Sequence, residues 1–362
     1  MIQVLLLVLA FVLLVLGAEY FTNAVEWLGR RLKLSDSATG SLLAAVGTAM
    51  PETMVPIVAI FFSAGEASHA IGIGGILGAP FMLSTLAMLV IAVALWSFRK
   101  RRLTTHLQFN ADTAASDLTF FLIAYSLAFV AAFLPVQLQA VRWAIAFALI
   151  PVYAIYMRRL LHATREPSNE ELAPLRVITH LPRRALPFED WAANPGMAPI
   201  LVQVGLSLGL IIAGAHLFVA EVGDIAAAIG VAPLVLSLLV TPLATELPEK
   251  LNSVIWISRK KDTLAFGNMS GAMVFQSVFP VTIGILFTEW SLSLRPEDPT
   301  FLAALSCVLA LTSGLSLLFF VRRHDTLHLP HLLASGWLYL VFIAAVVFVS
   351  FQGSTAASAV VH

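Results

Sequence analysis

Two short acidic motifs repeat within apolar surroundings: Gly47-Thr48-Ala49-Met50-Pro51-Glu52 and Ala244-Thr245-Glu246-Leu247-Pro248-Glu249. The copies align without a gap from Gly17-Ala18 against Gly214-Ala215 through Glu52 against Glu249, so Thr48 meets Thr245 and Pro51 meets Pro248. A carboxylate at membrane depth is expensive, and a functional reading is the default for each. Proline inside a helix removes one backbone hydrogen bond and crowds the carbonyl four residues back. Pro51 is therefore expected to free the carbonyl of Gly47, and Pro248 that of Ala244. Freed carbonyls are cation ligands. Thr48 and Glu52 are four apart, as are Thr245 and Glu249, so each hydroxyl shares a helix face with its carboxylate. If the copies face one another, they form an all-oxygen cage suited to a hard cation such as Ca²⁺. No His or Cys accompanies the acids, which argues against soft metals.

The elements that must position these groups are membrane helices. With 59% hydrophobic and 12% charged residues and a mean hydropathy of +0.90, the chain lies far from the usage of a soluble domain. Apolar windows of about 20 residues predict ten spans, near 2–27, 37–63, 70–97, 116–135, 138–158, 199–221, 231–257, 264–288, 301–321 and 332–351. Only helices or closed barrels satisfy every backbone group in lipid, and long continuous apolar runs are helical. The predicted fold class is all-α.

Lys and Arg concentrate in cytoplasmic loops, and here every second loop is basic: Arg30 to Lys33, Arg99 to Arg102, Arg158 to Arg184, Arg259 to Lys261, and Arg322 with Arg323. That alternation fits ten spans with both termini outside a bacterial-type inner membrane. Five spans per half make the second half enter from the opposite face, giving inverted repeats. The division is 1–160 for the first repeat, with its motif over about 40–83, then a cytoplasmic linker over 161–197. The second repeat is 198–362, with its motif over about 237–277. Inverted repeats place a substrate site near the midplane on broken helices, as in alternating-access transporters.

Several classes are excluded or weakened. Net charge is zero, so no nucleic-acid partner is suggested; the expected partners are inorganic cations and the lipid bilayer. The first span lacks a basic n-region and a small-residue cleavage site, and reads as a retained helix rather than a signal peptide. Cys307, the single cysteine, permits no internal disulfide. The linker carries Pro167, Pro174, Pro182, Pro187 and Pro195, with acids too scattered for a calcium-sensing domain. No enzyme chemistry is implied, because an intramembrane metal-dependent hydrolase would be expected to show H-E-x-x-H or a similar cluster. A cation channel or a non-transporting membrane protein on the same fold is the other alternative, but pre-broken helices with paired carboxylates favour a carrier.

The motifs resemble those of the cation/calcium exchanger superfamily, the sodium/calcium exchangers of prokaryotic type. Its two repeats carry Gly/Ala-Thr-Ser-Leu-Pro-Glu followed by a Gly-Asn-x-x-Gly-Ser-Asn type of helix. In the second half the motif is followed by Gly267-Asn268-Met269-Ser270-Gly271-Ala272-Met273-Val274-Phe275-Gln276. In the first it is followed by Gly74-Gly75-Ile76-Leu77-Gly78-Ala79-Pro80-Phe81, four residues further on. The resemblance implies a ten-helix inverted-repeat antiporter, with Glu52 and Glu249 as central glutamates and Thr48 and Thr245 as the motif threonines. It implies transport of Ca²⁺, with H⁺ or Na⁺ as counter-ion and no cofactor.

The chain also departs from that pattern. Ala49 and Glu246 stand where the family has serine, and Ala79, Leu83, Ala272 and Gln276 stand at later polar ligand positions. Sodium sites need such oxygens, so the departures favour H⁺ over Na⁺. Lys250 lies four residues after Glu246, a spacing suited to a salt bridge, and would leave the site with a charge near −2. Asn268 and Gln276 are candidate secondary ligands. Glu19 and His216, equivalent in the two repeats, are candidate gating or proton-transfer groups, with a packing role the simpler alternative. Asn23, Glu26, Glu221 and Asp224 are expected to be solvated, Glu66 and His69 to lie in an external loop, and Gly72, Gly74 and Gly78 to allow close helix approach.

Overall fold

The computed structural model describes residues 2–32, 49–163, 173–176, 195–324 and 326–360. The elements are α1 (Ile2–Arg31), α2 (Met50–Ile57, continued by a π-helical turn Val58–Phe62), α3 (Glu66–Ser84), α4 (Leu86–Arg102), β1 (His106–Gln108), α5 (Ala111–Phe133) and α6 (Gln139–Ala163). They continue as α7 (Met197–Ile229), α8 (Pro233–Thr245), α9 (Leu247–Ser258), α10 (Asp262–Gln276), α11 (Phe279–Phe287), α12 (Phe301–His324), β2 (Thr326–His328) and α13 (Leu329–Val360). Among the described residues, eight helical stretches are long and apolar enough to cross a membrane, and Met50–Phe62 and Pro233–Leu243 are shorter apolar helices. The protein is a mostly helical integral membrane protein.

The helices that carry the motif are broken, as Pro51 and Pro248 predict: the chain turns at Glu246 between α8 and α9, and α2 begins at Met50 behind the equivalent turn at Ala49. The fold also contains a small antiparallel ribbon, in which His106, Leu107 and Gln108 pair with His328, Leu327 and Thr326. It staples two of the basic loops together, and its central Leu107 and Leu327 are fully buried. Apolar windows do not register three-residue strands.

The backbone breaks recur in matching places. Ala49 has φ −83° and ψ 7°, and Glu246, its aligned counterpart, has φ −88° and ψ 6°. The following helices break as well: Thr85, between α3 and α4, has φ −118° and ψ −74°, and Val278, between α10 and α11, has φ −111° and ψ −71°. At the first pair the proline at N1/N2 of each following helix cannot continue the hydrogen-bond ladder behind it. At the second, Pro280 follows the break at N1/N2 of α11, whereas Pro80 lies inside α3.

Glycines set the closest approaches. α1 and α7 cross at Gly17 and Gly214, and the contact is reciprocal. A Cβ on Gly17 would meet the Ser207 carbonyl at 3.1 Å and Ile211 at 2.7 Å, while one on Gly214 would meet the Ala10 carbonyl and Leu14 at 3.1 Å. α3 lies against α8 through Gly74 and Gly78, whose missing Cβ atoms would collide with the backbone carbonyls of Leu234 and Leu238. This close approach bears out the packing role expected from the glycine spacing. Ser237 at that crossing donates to the Ile71 carbonyl at 2.7 Å.

The main apolar core lies among α3 to α6 and α8 to α13. A second cluster joins α1 and α7 to α2 through Phe21, Val55, Ile71 and Phe218. At the basic end of the molecule, Arg102 makes a two-pronged ion pair with Asp262, at 2.7 Å to Oδ1 and 2.6 Å to Oδ2. The same guanidinium donates to the Ile257 carbonyl at 2.6 Å, and both side chains are almost wholly buried. α4 is thereby tied to α9 and α10.

Candidate cation site

The site is built at the helix breaks. α2 starts behind Ala49, so Glu52 falls in its first turn, where the helix N-terminus carries partial positive charge. α9 starts behind Glu246, so Glu249 falls in its first turn in the same way. Both glutamates are 3% exposed, and Glu246 and Lys250 are buried with them. Glu52 lies within electrostatic range of Glu249, Glu246 and Lys250, so the four ionisable groups of the two motifs converge. Among the described residues neither carboxylate oxygen of Glu52 has a hydrogen-bond partner. Pro56, inside α2 four residues on, has no N–H to offer the Glu52 carbonyl.

The second motif is more heavily committed. Lys250 Nζ donates to Glu246 Oε2 at 2.7 Å and approaches the Pro242 carbonyl at 3.3 Å. Glu246 Oε1 is buried with no hydrogen-bond partner among the described residues. The expected i,i+4 pair is therefore formed. Thr245 is buried beside it, and its hydroxyl donates to the Thr241 carbonyl at 3.0 Å, which leaves the oxygen lone pairs for a cation. Ala244 lies in the last turn of α8, four residues before Pro248, which has no N–H for its carbonyl. Gly47 and Thr48 lie outside the described residues.

The remaining candidates separate into three groups. Asn268 on α10 reaches the Glu249 carbonyl with Nδ2 at 3.5 Å, so it touches the motif backbone. Gln276 is 2% exposed at the end of α10, with Oε1 unpartnered among the described residues, but no contact links it to the glutamates. Glu19 and His216 are not brought to the site: both are exposed. Glu19 is ion-paired with Arg176, and His216 has its ring edge-on to Phe62, 6.3 Å between centroids. These residues lie on the outer faces of α1 and α7, where the crossing at Gly17 and Gly214 turns other residues inward.

Among the described residues no three His, Cys, Asp or Glu side chains are close enough together to hold a metal ion unaided. The Lys250 bridge draws Glu246 away from such a role. Two polar residues expected to be solvated differ from that expectation. Asn23 is buried, accepting from Gln203 at 2.9 Å and donating to the Ala173 carbonyl, and Glu221 is 7% exposed. Glu66 and His69 lie in the first turn of α3 rather than in a loop. Sequence reading missed Asp117, 2% exposed on α5, which accepts from Ser270 Oγ at 2.6 Å. Its signal was an acidic residue inside a predicted span. It also missed Asp262 as the buried partner of Arg102.

The sodium/calcium exchanger protein family model matches residues 2–161 and 199–351. The chain belongs to the sodium/calcium exchanger family. A relative in Alkalimonas amylolytica, "Putative antiporter CaxA", is 25% identical over 277 residues, spanning 76% of this chain and 77% of the relative. An uncharacterized membrane protein of Methanocaldococcus jannaschii is 22% identical over 282 residues, 77% of this chain and 80% of that one. Among solved structures, the H⁺/Ca²⁺ exchanger CAX superposes with a TM-score of 0.70 at 15% identity, covering 97% of this chain and 85% of that one. The sodium-calcium exchanger NCX_Mj superposes with a TM-score of 0.58 at 18% identity, covering 95% and 98%. At these identities the structures speak for a shared fold. The family is one of membrane exchangers, not enzymes.

Proposed function

We propose that this exchanger is a secondary antiporter that moves Ca²⁺ against H⁺ or Na⁺, with H⁺ the preferred counter-ion, at a site centred on Glu52 and Glu249. The observation that carries the reading is the buried Glu52 carboxylate, whose two oxygens have no hydrogen-bond partner among the described residues while Glu249 and Glu246 crowd it. An isolated ionised carboxylate in an apolar interior is costly by a wide margin. A proton or a bound cation therefore has to neutralise it, and the two compete for the same oxygens. Binding one expels the other, which is exchange by competition.

With Lys250 satisfying Glu246, two carboxylates remain, matching the charge of one Ca²⁺. Thr48, Thr245, Gly47 and Ala244 complete the proposed ligand set with hydroxyl and carbonyl oxygens. The sodium-type ligand positions are apolar here: Ala79 and Leu83 are buried, with no oxygen to offer beyond their backbone. A proton needs no such shell, which is why H⁺ is preferred.

The architecture proposed is ten spans in two inverted five-helix repeats, 1–160 and 198–362, joined by a cytoplasmic linker at 161–197. Both termini face outward from a bacterial-type inner membrane. The matched dihedrals at Ala49 and Glu246, those at Thr85 and Val278, and the reciprocal Gly17 and Gly214 contacts support a two-fold relation between halves. Broken helices meeting at such an axis suit alternating access. The test is Ca²⁺ exchange by the purified protein in proteoliposomes. Glu52→Gln and Glu249→Gln should each abolish flux while eluting as folded protein, and near wild-type flux in either would overturn the assignment.

A further inference from the structure

We propose that Asp117 is a second proton-binding site of the exchanger, held between α5, α6 and α10, and that its charge state governs how α10 seats against the glutamate site. This goes beyond the exchange reading and holds whichever cation the glutamates carry. Asp117 is 2% exposed, its Oδ2 accepts from Ser270 Oγ at 2.6 Å, and its Oδ1 is buried without a hydrogen-bond partner among the described residues. The Tyr156 hydroxyl of α6 faces the same carboxyl, and the Tyr153 ring lies behind it with 5.7 Å between centroids.

The groups around Asp117 carry no charge. α10 offers Ser270, and α6 offers the two tyrosines. On the α12 side Cys307 bonds Tyr125 further along α5, and Arg322 is engaged with Thr119 at the exposed end. Tyr125 itself donates to the Leu77 carbonyl of α3. Two other buried acids are paired instead, Asp262 with Arg102 and Glu246 with Lys250. Without a cation, a buried carboxylate is neutralised by a proton. Ser270 and Tyr156 offer only neutral hydroxyls, so burial without a countercharge is what marks a proton site.

Location makes the site consequential. Asp117 is two turns into α5, about 9 Å along the helix from Ala111. A cavity of about 400 Å³ opens on another face of the same helix, lined by Asp112, Ser116, Thr119, Phe120, Arg159 and Arg322. Ser270 lies two residues beyond Asn268, so the two side chains leave opposite sides of α10. One side grips Asp117 and the other reaches the Glu249 carbonyl. Gly271 leaves room for the Tyr156 hydroxyl, 3.6 Å from where a Cβ would stand. Ionising Asp117 changes the grip on one face of α10 and thereby the position of the other.

The experiment is an infrared pH titration of carboxyl protonation in the purified, lipid-reconstituted exchanger, without Ca²⁺ or Na⁺, alongside the pH profile of exchange. Asp117→Asn keeps an acceptor for Ser270 but should remove one titrating carboxyl and shift the pH profile. That carboxyl should persist in the Glu52→Gln, Glu249→Gln double variant, which separates this proposal from the transport reading. Ser270→Ala should move its midpoint, and decides the matter if Asp117→Asn does not fold. An unchanged titration in Asp117→Asn, an unmoved one in Ser270→Ala, or a carboxyl that responds to Na⁺ at fixed pH but not to pH would overturn it.

Discussion

Removing either partner of the Glu246 and Lys250 bridge should cost far more than removing both. The pair is 2.7 Å apart with side-chain exposures of 0% and 6%, so solvent screens it little. At that separation and an effective dielectric near 20, the bare Coulomb attraction is about 6 kcal/mol, and desolvation of both ions offsets much of it. Glu246→Gln leaves the buried Lys250 ammonium with neutral acceptors only at this contact, the amide oxygen and the Pro242 carbonyl at 3.3 Å, and Lys250→Met leaves Glu246 as an uncompensated charge. Each single change should destabilise by roughly 3–5 kcal/mol, while the double change to uncharged residues should be close to neutral. The assay is a double-mutant cycle on reversible denaturation in mixed micelles, with Ca²⁺ flux measured on the same variants. A coupling energy of about 3 kcal/mol or more is expected, with part of the flux restored in the double mutant. Additive losses would refute the pair as the unit and make Glu246 a direct cation ligand.

Other outcomes follow from the packing and the counter-ion reading. Gly78→Ala should push α3 off α8, because its Cβ would strike the Leu238 carbonyl and Pro242. A loss of about 1–3 kcal/mol is expected for such overpacking, whereas Gly209→Ala, with nothing within 4 Å, should be neutral or slightly stabilising in the same thermal assay. Arg102→Lys should fail to replace the two-pronged contact to Asp262, and paired Arg102→Met with Asp262→Leu should recover thermal stability that either change alone loses. Asp298, in the exposed loop before α12, has its carboxyl held below the usual range by hydrogen bonds from Thr300. Thr300→Val should move that titration toward the ordinary aspartate value by NMR, with no change in transport.

The acidic motifs, the helical class and the Glu246 to Lys250 pair were legible because each is local: a spacing of four on one helix, an apolar run, a proline at a fixed place. The glycine-lined crossing of α3 and α8 was legible too, since small residues at Gly74 and Gly78 have few other uses in a long apolar helix. What was not legible depends on contacts distant in sequence. Arg102 reads as one more basic residue of a cytoplasmic loop until Asp262, 160 positions on, is found against it. Glu19 and His216 occupy equivalent positions, but equivalence does not tell which side of α1 and α7 faces inward. Asp117 carried a signal in its surroundings, yet only the fold brings Ser270 and Tyr156 to it. The ribbon of β1 and β2 is too short to leave a period.

The central claim, exchange of Ca²⁺ at the paired glutamates with H⁺ as preferred counter-ion, is tested most directly by Ca²⁺ uptake into proteoliposomes under an imposed pH gradient and, separately, an imposed Na⁺ gradient at clamped pH. The account predicts uptake driven by the pH gradient, weak or absent uptake with Na⁺, and loss of both in Glu52→Gln. Robust uptake driven by Na⁺ alone would contradict the counter-ion assignment, and uptake that survives Glu52→Gln would contradict the site.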